Sequence, residues 1–194
     1  MGQYYRVLAR RNNKDTVYSL QTNKFRETGN YEHYNGVKLM EHSWWRNDFC
    51  EAFTKTLLDK PTRVAWVGDY AEEDECNELG FSYNGVWNRK KFRYIKALDF
   101  PLANFKYLVN NTKKIYVDLQ KYYKASVNDG WCIYPISLLT AVGNDRGGGD
   151  FHDSDGNEGY SDVGAWAFDE IFVTNKEPAP NTDFKEEEYC FREA

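Results

Sequence analysis

Gln3-Tyr4-Tyr5-Arg6-Val7-Leu8-Ala9 opens the chain with a two-residue alternation: Tyr4, Arg6 and Leu8 share one face, and Tyr5, Val7 and Ala9 share the other. That period belongs to a β-strand. Residues 10–15, with Asn12-Asn13 at their tip, read as a turn into a second strand over 16–20, so the chain begins with a hairpin. After a polar loop to Gly36 the period changes. From Ser43, Trp45, Phe49, Ala52, Phe53 and Leu57 recur every three or four residues. This predicts one main amphipathic helix of about four turns, capped by Ser43 and ended before Pro61. Residues 63–67 form a short apolar strand that stops at Gly68-Asp69.

Further on, residues 87–98 and 105–109 read as strands. Asn110-Asn111-Thr112 turns the chain into another strand over 115–123. Residues 131–142 are apolar but interrupted by Pro135, which makes them an edge strand or an extended leader into a short helix. A glycine- and aspartate-rich loop, 143–162, precedes a strand over 163–174. The expected fold is a single α+β domain over residues 1–176 with a mostly antiparallel sheet. Residues 177–194 form an acidic, partly ordered tail.

Composition sets the character of the core. The 194 residues contain 29 Ile, Leu and Val against 33 Phe, Tyr and Trp. A core built from them is largely aromatic, each ring removing roughly 150–250 Å² from water. No apolar run reaches the roughly 18–20 residues of a membrane helix. Residues 1–6 lack the apolar centre of a signal peptide, so a cytoplasmic protein with reduced, mostly buried thiols at Cys50, Cys76, Cys132 and Cys190 is expected. The net charge of −5 conceals segregation. Residues 1–40, 41–88, 89–124 and 125–194 carry +4, −6, +8 and −11.

The basic block 89–124 interleaves Arg89, Lys90, Lys91, Arg93, Lys113 and Lys114 with aromatics including Phe92, Tyr94, Phe105, Tyr107, Tyr116 and Tyr123. Exposed rings among cations stack single-stranded bases. The same alternation also serves a core with its cations in water, paired to acidic neighbours, and the composition favours this second reading. The loop from Asn144 to Asn157 is the densest polar cluster. Gly147, Gly148 and Gly149 let consecutive N–H groups converge on an anion beside Arg146, although no P-loop Lys-Ser/Thr follows. Asp150, Asp153 and Asp155 offer a cation site, but Glu158 stands where a calcium loop needs glycine. Asp69 follows a buried strand, where functional carboxylates often sit, or caps a turn. His42 beside Glu41 has the titration range of an acid or base, or is a structural hydrogen-bonding group. No nucleophile elbow, zinc-protease or kinase motif occurs.

Met1-Gly2-Gln3-Tyr4-Tyr5, Val37-Lys38-Leu39-Met40-Glu41-His42-Ser43 and Val67-Gly68-Asp69-Tyr70-Ala71 resemble strings of an uncharacterised family of small bacterial and phage proteins. So do Pro135-Ile136-Ser137-Leu138-Leu139-Thr140-Ala141 with Arg146-Gly147-Gly148-Gly149-Asp150, and Val163-Gly164-Ala165-Trp166-Ala167. The resemblance covers most of residues 1–175 in patches. It implies that Asp69 and Arg146–Asp150 belong to one recurring feature. It also implies a phage or prophage origin, with a role in interfering with a host defence system.

Two functions follow. The first is a non-catalytic cytosolic interaction protein for a protein or nucleoprotein partner, with no membrane and no cofactor, and with nucleic acid left open. It draws on Arg146, Gly147, Gly148, Gly149 and the cations of 89–124. The second is a hydrolase of a phosphorylated small molecule using His42, Asp69 and Asp150, with Arg146 holding the anion and carboxylates holding a divalent cation. The second requires His42, Asp69, Arg146 and Asp150 to converge within one cleft.

Overall fold

The computed structural model describes residues 2–11, 17–19, 38–45, 48–76, 93–94, 105–152, 162–178 and 182–191. The opening alternation forms β1 (Tyr5–Arg10), which pairs antiparallel with β2 (Val17–Ser19); the tip of that hairpin lies outside the described residues. On its other side β1 pairs antiparallel with β3 (Thr62–Gly68) over six register positions, Tyr5 opposite Gly68 through Arg10 opposite Arg63. The remaining strands are β4 (Arg93–Tyr94), β5 (Tyr107–Asn110), β6 (Ile115–Asp118), β7 (Ala141–Val142), β8 (Glu170–Thr174) and β9 (Lys185–Glu186). Among the described residues they form one mixed sheet in the order β4-β2-β1-β3-β8-β5-β6-β9, with β7 alongside β3. Three of its pairings, β2 with β4, β3 with β7 and β6 with β9, are parallel; the others are antiparallel. An α+β fold dominated by sheet is the result.

One face of this sheet carries the core. Tyr5, Val7 and Ala9 of β1, Val64 and Trp66 of β3, Leu108 of β5, Val117 of β6 and Val173 of β8 all belong to it. Helices supply the other side: Phe49, Cys50 and Phe53 from α2 (Asp48–Thr56), following the short α1 (Leu39–His42). Past α3 (Glu73–Cys76), α4 (Leu119–Ser126) adds Leu119 and Tyr122, and α5 (Pro135–Leu139) adds Ile136, Leu138 and Leu139. Trp66 is fully buried at the centre, with Phe49 and Phe53 edge-on at 5.7 and 5.8 Å. Edge-to-face pairs at such separations exploit the ring quadrupole beyond plain burial. Trp66, Trp166, Tyr5, Tyr122, Phe53, Phe151 and Phe191 are all but fully buried, so the core is aromatic as the composition requires.

Three local expectations are corrected. Ser43 does not cap a four-turn helix: it ends α1, and α2 starts only at Asp48. The intervening backbone is spent elsewhere, since Trp44 bridges Ile133, Trp45 N–H donates to Cys132 and Ser43 accepts from Tyr134 N–H. The strand over 115–123 stops at Asp118, whose carboxylate accepts from the Gln120 and Lys121 N–H groups and so caps α4. The strand over 163–174 is confined to β8, because 164–168 run as turns tied to neighbours: Gly164 and Trp166 N–H bond Leu138 and Leu139. Of the strand expected over 87–98, the described residues contain only β4. Residues 131–142 take the leader form, Pro135 opening α5 where its missing N–H costs nothing.

The segment beyond 176 contributes to the core. Tyr189 and Phe191 lie stacked 6.3 Å apart; Tyr189 accepts from Trp166 Nε1 and Phe191 packs edge-on against Phe151. β9 extends the sheet beside β6.

Candidate functional site

The loop from 143 to 150 folds onto the beginning of the chain. Gln3 N–H donates to Gly148 O at 2.9 Å, the Gln3 side-chain amide donates to Gly143 O at 2.9 Å, and Met40 N–H donates to Gly149 O at 3.1 Å. At its base the Asn144 side chain both accepts from Phe151 N–H and donates to Phe151 O, closing the loop as a strand pair would. Phe151 is the buried anchor that fixes this closure in the core.

Inside the loop, Asp150 is 2% exposed. Its Oδ1 accepts from the Tyr5 hydroxyl at 2.9 Å, and its Oδ2 accepts from the Arg146 and Gly147 N–H groups at 2.8 and 2.9 Å. The glycine-rich stretch does gather N–H groups around an anion, and that anion is the loop's own carboxylate. Close packing explains two of the glycines. A Cβ at Gly147 would lie 2.6 Å from the Gln3 Cβ, and Gly149 has a φ of +86°.

Arg146 points away from Asp150. Its guanidinium forks onto both oxygens of Glu75 at 2.7 and 2.9 Å and also donates to Tyr70 O at 3.0 Å. This bidentate pair raises the Arg146 pKa further, the hydrogen bond to Glu75 outweighing partial burial. Asp69 sits between the ends of β1 and β3: its Oδ1 accepts from Tyr4 N–H at 3.1 Å, and its own N–H donates to Tyr4 O at 2.8 Å. Burial holds the Asp69 carboxyl above its ordinary value, opposed by hydrogen bonds to it from the backbone N–H groups of Tyr4 and of Asp69 itself and reinforced by the charge of Asp150. Burial is also the main cause that raises the Tyr5 hydroxyl, with the Asp150 charge and hydrogen bond next and Asp69 behind.

Asp69, Arg146 and Asp150 therefore share one neighbourhood, organised around Tyr5 and Gln3, which the pattern reading did not single out. Tyr5 was legible only as a strand residue that shares a face with Val7 and Ala9. The carboxylates of Asp69 and Asp150, the Arg146 guanidinium and the Gln3 side-chain N–H are held by partners from within the chain, whereas the buried Gln3 Oε1 has none among the described residues. His42 closes α1, and its side chain lies outside what is described, as do Asp153 and Asp155 entirely. Among the described residues no group of three or more His, Cys, Asp or Glu is placed to hold a metal ion.

The basic block divides in the same way. Arg89, Lys90 and Lys91 lie outside the described residues, and Arg93 is described only as part of β4. Lys113 bonds Ala165 O and pairs with Asp169 at 3.7 Å, and Lys114 bonds Asn111 and sits over the Phe184 ring. Lys121 pairs with Glu186 at 2.5 Å. Acidic residues from the −11 segment thus meet Lys113 and Lys121 across the sheet.

One large aromatic stands apart from these internal pairings. Asn128 and Trp131 exchange two hydrogen bonds of 2.7 Å around Asp129 and Gly130, both with positive φ (46° and 84°). This is the tight hairpin turn whose twist suits β-strands. Trp131 is 61% exposed, backed edge-on by Trp44 at 5.5 Å. Comparison of the chain with protein-family models, with curated proteins and with solved structures found no match in any of the three.

Proposed function

We propose that this is a cytoplasmic, non-catalytic interaction protein that engages a protein or nucleoprotein partner. With the resemblance of its strings, this extends to a phage- or prophage-encoded protein that interferes with a host defence complex. The observation that carries the reading is Trp131, an exposed indole held on a rigid two-residue turn and braced by Trp44. Tryptophan at such a site is the side chain most enriched among residues that dominate binding energy, and pre-organisation lowers the entropy cost of using it. The groups of the hydrolase reading support it indirectly. Arg146 and Asp150, which that chemistry needs for substrate and cation, are engaged with Glu75, Tyr5 and the loop backbone.

The test is affinity capture from bacterial cells with crosslinking, using wild type and Trp131→Ala in parallel, with and without nuclease. The expected result is a stoichiometric partner retained by wild type, lost by Trp131→Ala and unaffected by nuclease. Turnover of a phosphate-ester panel with magnesium or manganese, abolished by Asp150→Asn in a folded variant, would overturn the reading in favour of the hydrolase.

A further inference from the structure

The turn that carries Trp131 has a chemistry of its own. Asn128-Asp129-Gly130-Trp131 puts Asp129 and Gly130 at the two central positions, where both adopt positive φ (46° and 84°). Aspartate and glycine take that conformation at little steric cost, so the sequence builds the turn locally. All four residues are exposed. The paired hydrogen bonds between Asn128 and Trp131 fix the backbone, while Trp44, bridged to Ile133, sets its ring at 76° to that of Trp131. A T-shaped contact covers at most one face of an indole. Trp131, 61% exposed, therefore keeps its second face open to solvent.

That face lies in an acidic setting. The Asp129 carboxylate, two residues from Trp131 on the same turn, has no partner among the described residues. The C-terminal segment runs beside the root of the turn: the Cys190 thiol donates to Ala125 O and Phe191 N–H to Ser126 Oγ. Of the charges on these segments, Lys121 and Glu186 neutralise each other, and Glu187 accepts from Tyr189. Among the described residues Asp129 and Glu188 remain against Lys124, which leaves the patch negative. An aromatic face beside a free carboxylate attracts a cation and repels phosphate. Arginine suits it better than lysine, because the guanidinium is planar and weakly hydrated, stacks on an indole and still offers its edge N–H groups to a carboxylate. We propose that the partner presents an arginine from a basic peptide segment, its guanidinium stacked on Trp131 and hydrogen-bonded to Asp129. This rests on Trp131 being the interaction residue of the proposed function, and it names the class of partner that residue takes.

The experiment is an NMR titration of the full chain, read at the indole N–H signals and the Gly130 amide. The probes are the peptide Gly-Arg-Gly-Arg-Gly, its lysine, citrulline and glutamate counterparts, and a single-stranded oligonucleotide. Citrulline keeps the shape of arginine without its charge. The arginine peptide shifts these signals at millimolar concentration, the lysine peptide binds more weakly, and the citrulline and glutamate peptides give no shift. An exposed contact of this kind contributes roughly two- to fivefold, so Trp131→Ala and Asp129→Asn each weaken the arginine peptide by that factor or more. Asp129→Asn also flattens the salt dependence, which a folding defect does not mimic, and asparagine accepts the same positive φ. Equal binding of the citrulline peptide, wild-type affinity of Asp129→Asn at low salt, preference for the oligonucleotide, or no shift at millimolar peptide overturns the proposal. A cellular partner lost from Trp131→Ala while the arginine peptide fails to bind refutes this inference alone; a partner retained by Trp131→Ala refutes the proposed function itself.

Discussion

The Tyr5 hydroxyl donates a 2.9 Å hydrogen bond to Asp150, 145 residues further along the chain. Both side chains are buried, and the bond ties the first strand to the glycine-rich loop. Tyr5→Phe removes one donor and leaves Asp150 its two backbone N–H partners, at a cost of about 1.5–3 kcal/mol for a hydrogen bond to a charged group. Asp150→Ala strands the Tyr5 hydroxyl and both N–H groups, and costs more, about 3 kcal/mol or above. Urea unfolding of the two variants checks the order; a smaller loss for Asp150→Ala would contradict the loop-closing role.

Arg146 and Glu75 form a forked pair, each about one-third exposed. A double-mutant cycle with Arg146→Gln and Glu75→Gln is expected to give a coupling of about 0.5–1 kcal/mol at low salt. The coupling shrinks as salt is added, because partly exposed charges are screened. Arg146→Lys loses the planar fork and recovers only part of it. A coupling of zero would mean that the guanidinium is available to an external anion.

Asp69 sets a pH dependence whose sign follows from its raised carboxyl. An acid that holds its proton more tightly folded than unfolded favours the folded state at low pH. That contribution is complete below the ordinary 3.8 and is lost as pH rises through the raised folded value. Asp69→Asn keeps an acceptor for Tyr4 N–H and removes the titration. The stability of the variant relative to wild type should therefore climb with pH across this window and then level off. Urea midpoints for both proteins from about pH 3 to about pH 7 measure the difference, in which shifts at other carboxylates cancel. A difference that fell with rising pH would place the Asp69 value below 3.8 instead.

Much of the sheet was legible because β1 and β3 declare themselves by local pattern. Alternation from Tyr5 and the apolar run through Trp66 need no distant information. α4 was missed where one local signal outweighed another: Tyr116 and Val117 continue a strand pattern, while Asp118 ahead of Leu119 is a helix cap. The helix expected from Ser43 failed for a non-local reason, since 43–45 pair with 132–134. The cluster around Tyr5 shows the same limit. Sequence marks Asp69 and Asp150 as carboxylates in turns, but their partners are backbone groups and a tyrosine brought in by pairing.

Gly130 and Gly147 are needed for different reasons, and alanine separates them. Gly130 has a φ of +84° and nothing within 4 Å of a would-be Cβ, so Gly130→Ala costs only backbone strain, about 1 kcal/mol. At Gly147 the obstacle is contact with Gln3, and Gly147→Ala must lift the loop off the first strand. Hydrogen exchange reads the distinction at Gln3, whose N–H bonds Gly148 O. Protection there falls in Gly147→Ala and is unchanged in Gly130→Ala; equal protection in both would remove the loop's claim to pin the N-terminal segment.

Cys132 and Cys190 give a readout of the C-terminal segment. Cys190 is exposed, although Tyr189 and Phe191 on either side are buried, and its thiol donates to Ala125 O at 3.2 Å. Cys132 is buried, and desolvation, with the neighbouring Cys190 behind it, pushes its thiol up to about 12. The thiolate is the reactive form, so a maleimide under native conditions should modify Cys190 well before Cys132, and peptide mass mapping assigns each site. Phe191→Ala removes a ring that packs on Tyr122 and Phe151 and loosens the segment that carries Cys190. Cys132 labelling should then accelerate while Cys190, already accessible, changes little. If Cys132 reacts as fast as Cys190 in wild type, the segment beyond 176 does not seal the core as Tyr189 and Phe191 are placed to do.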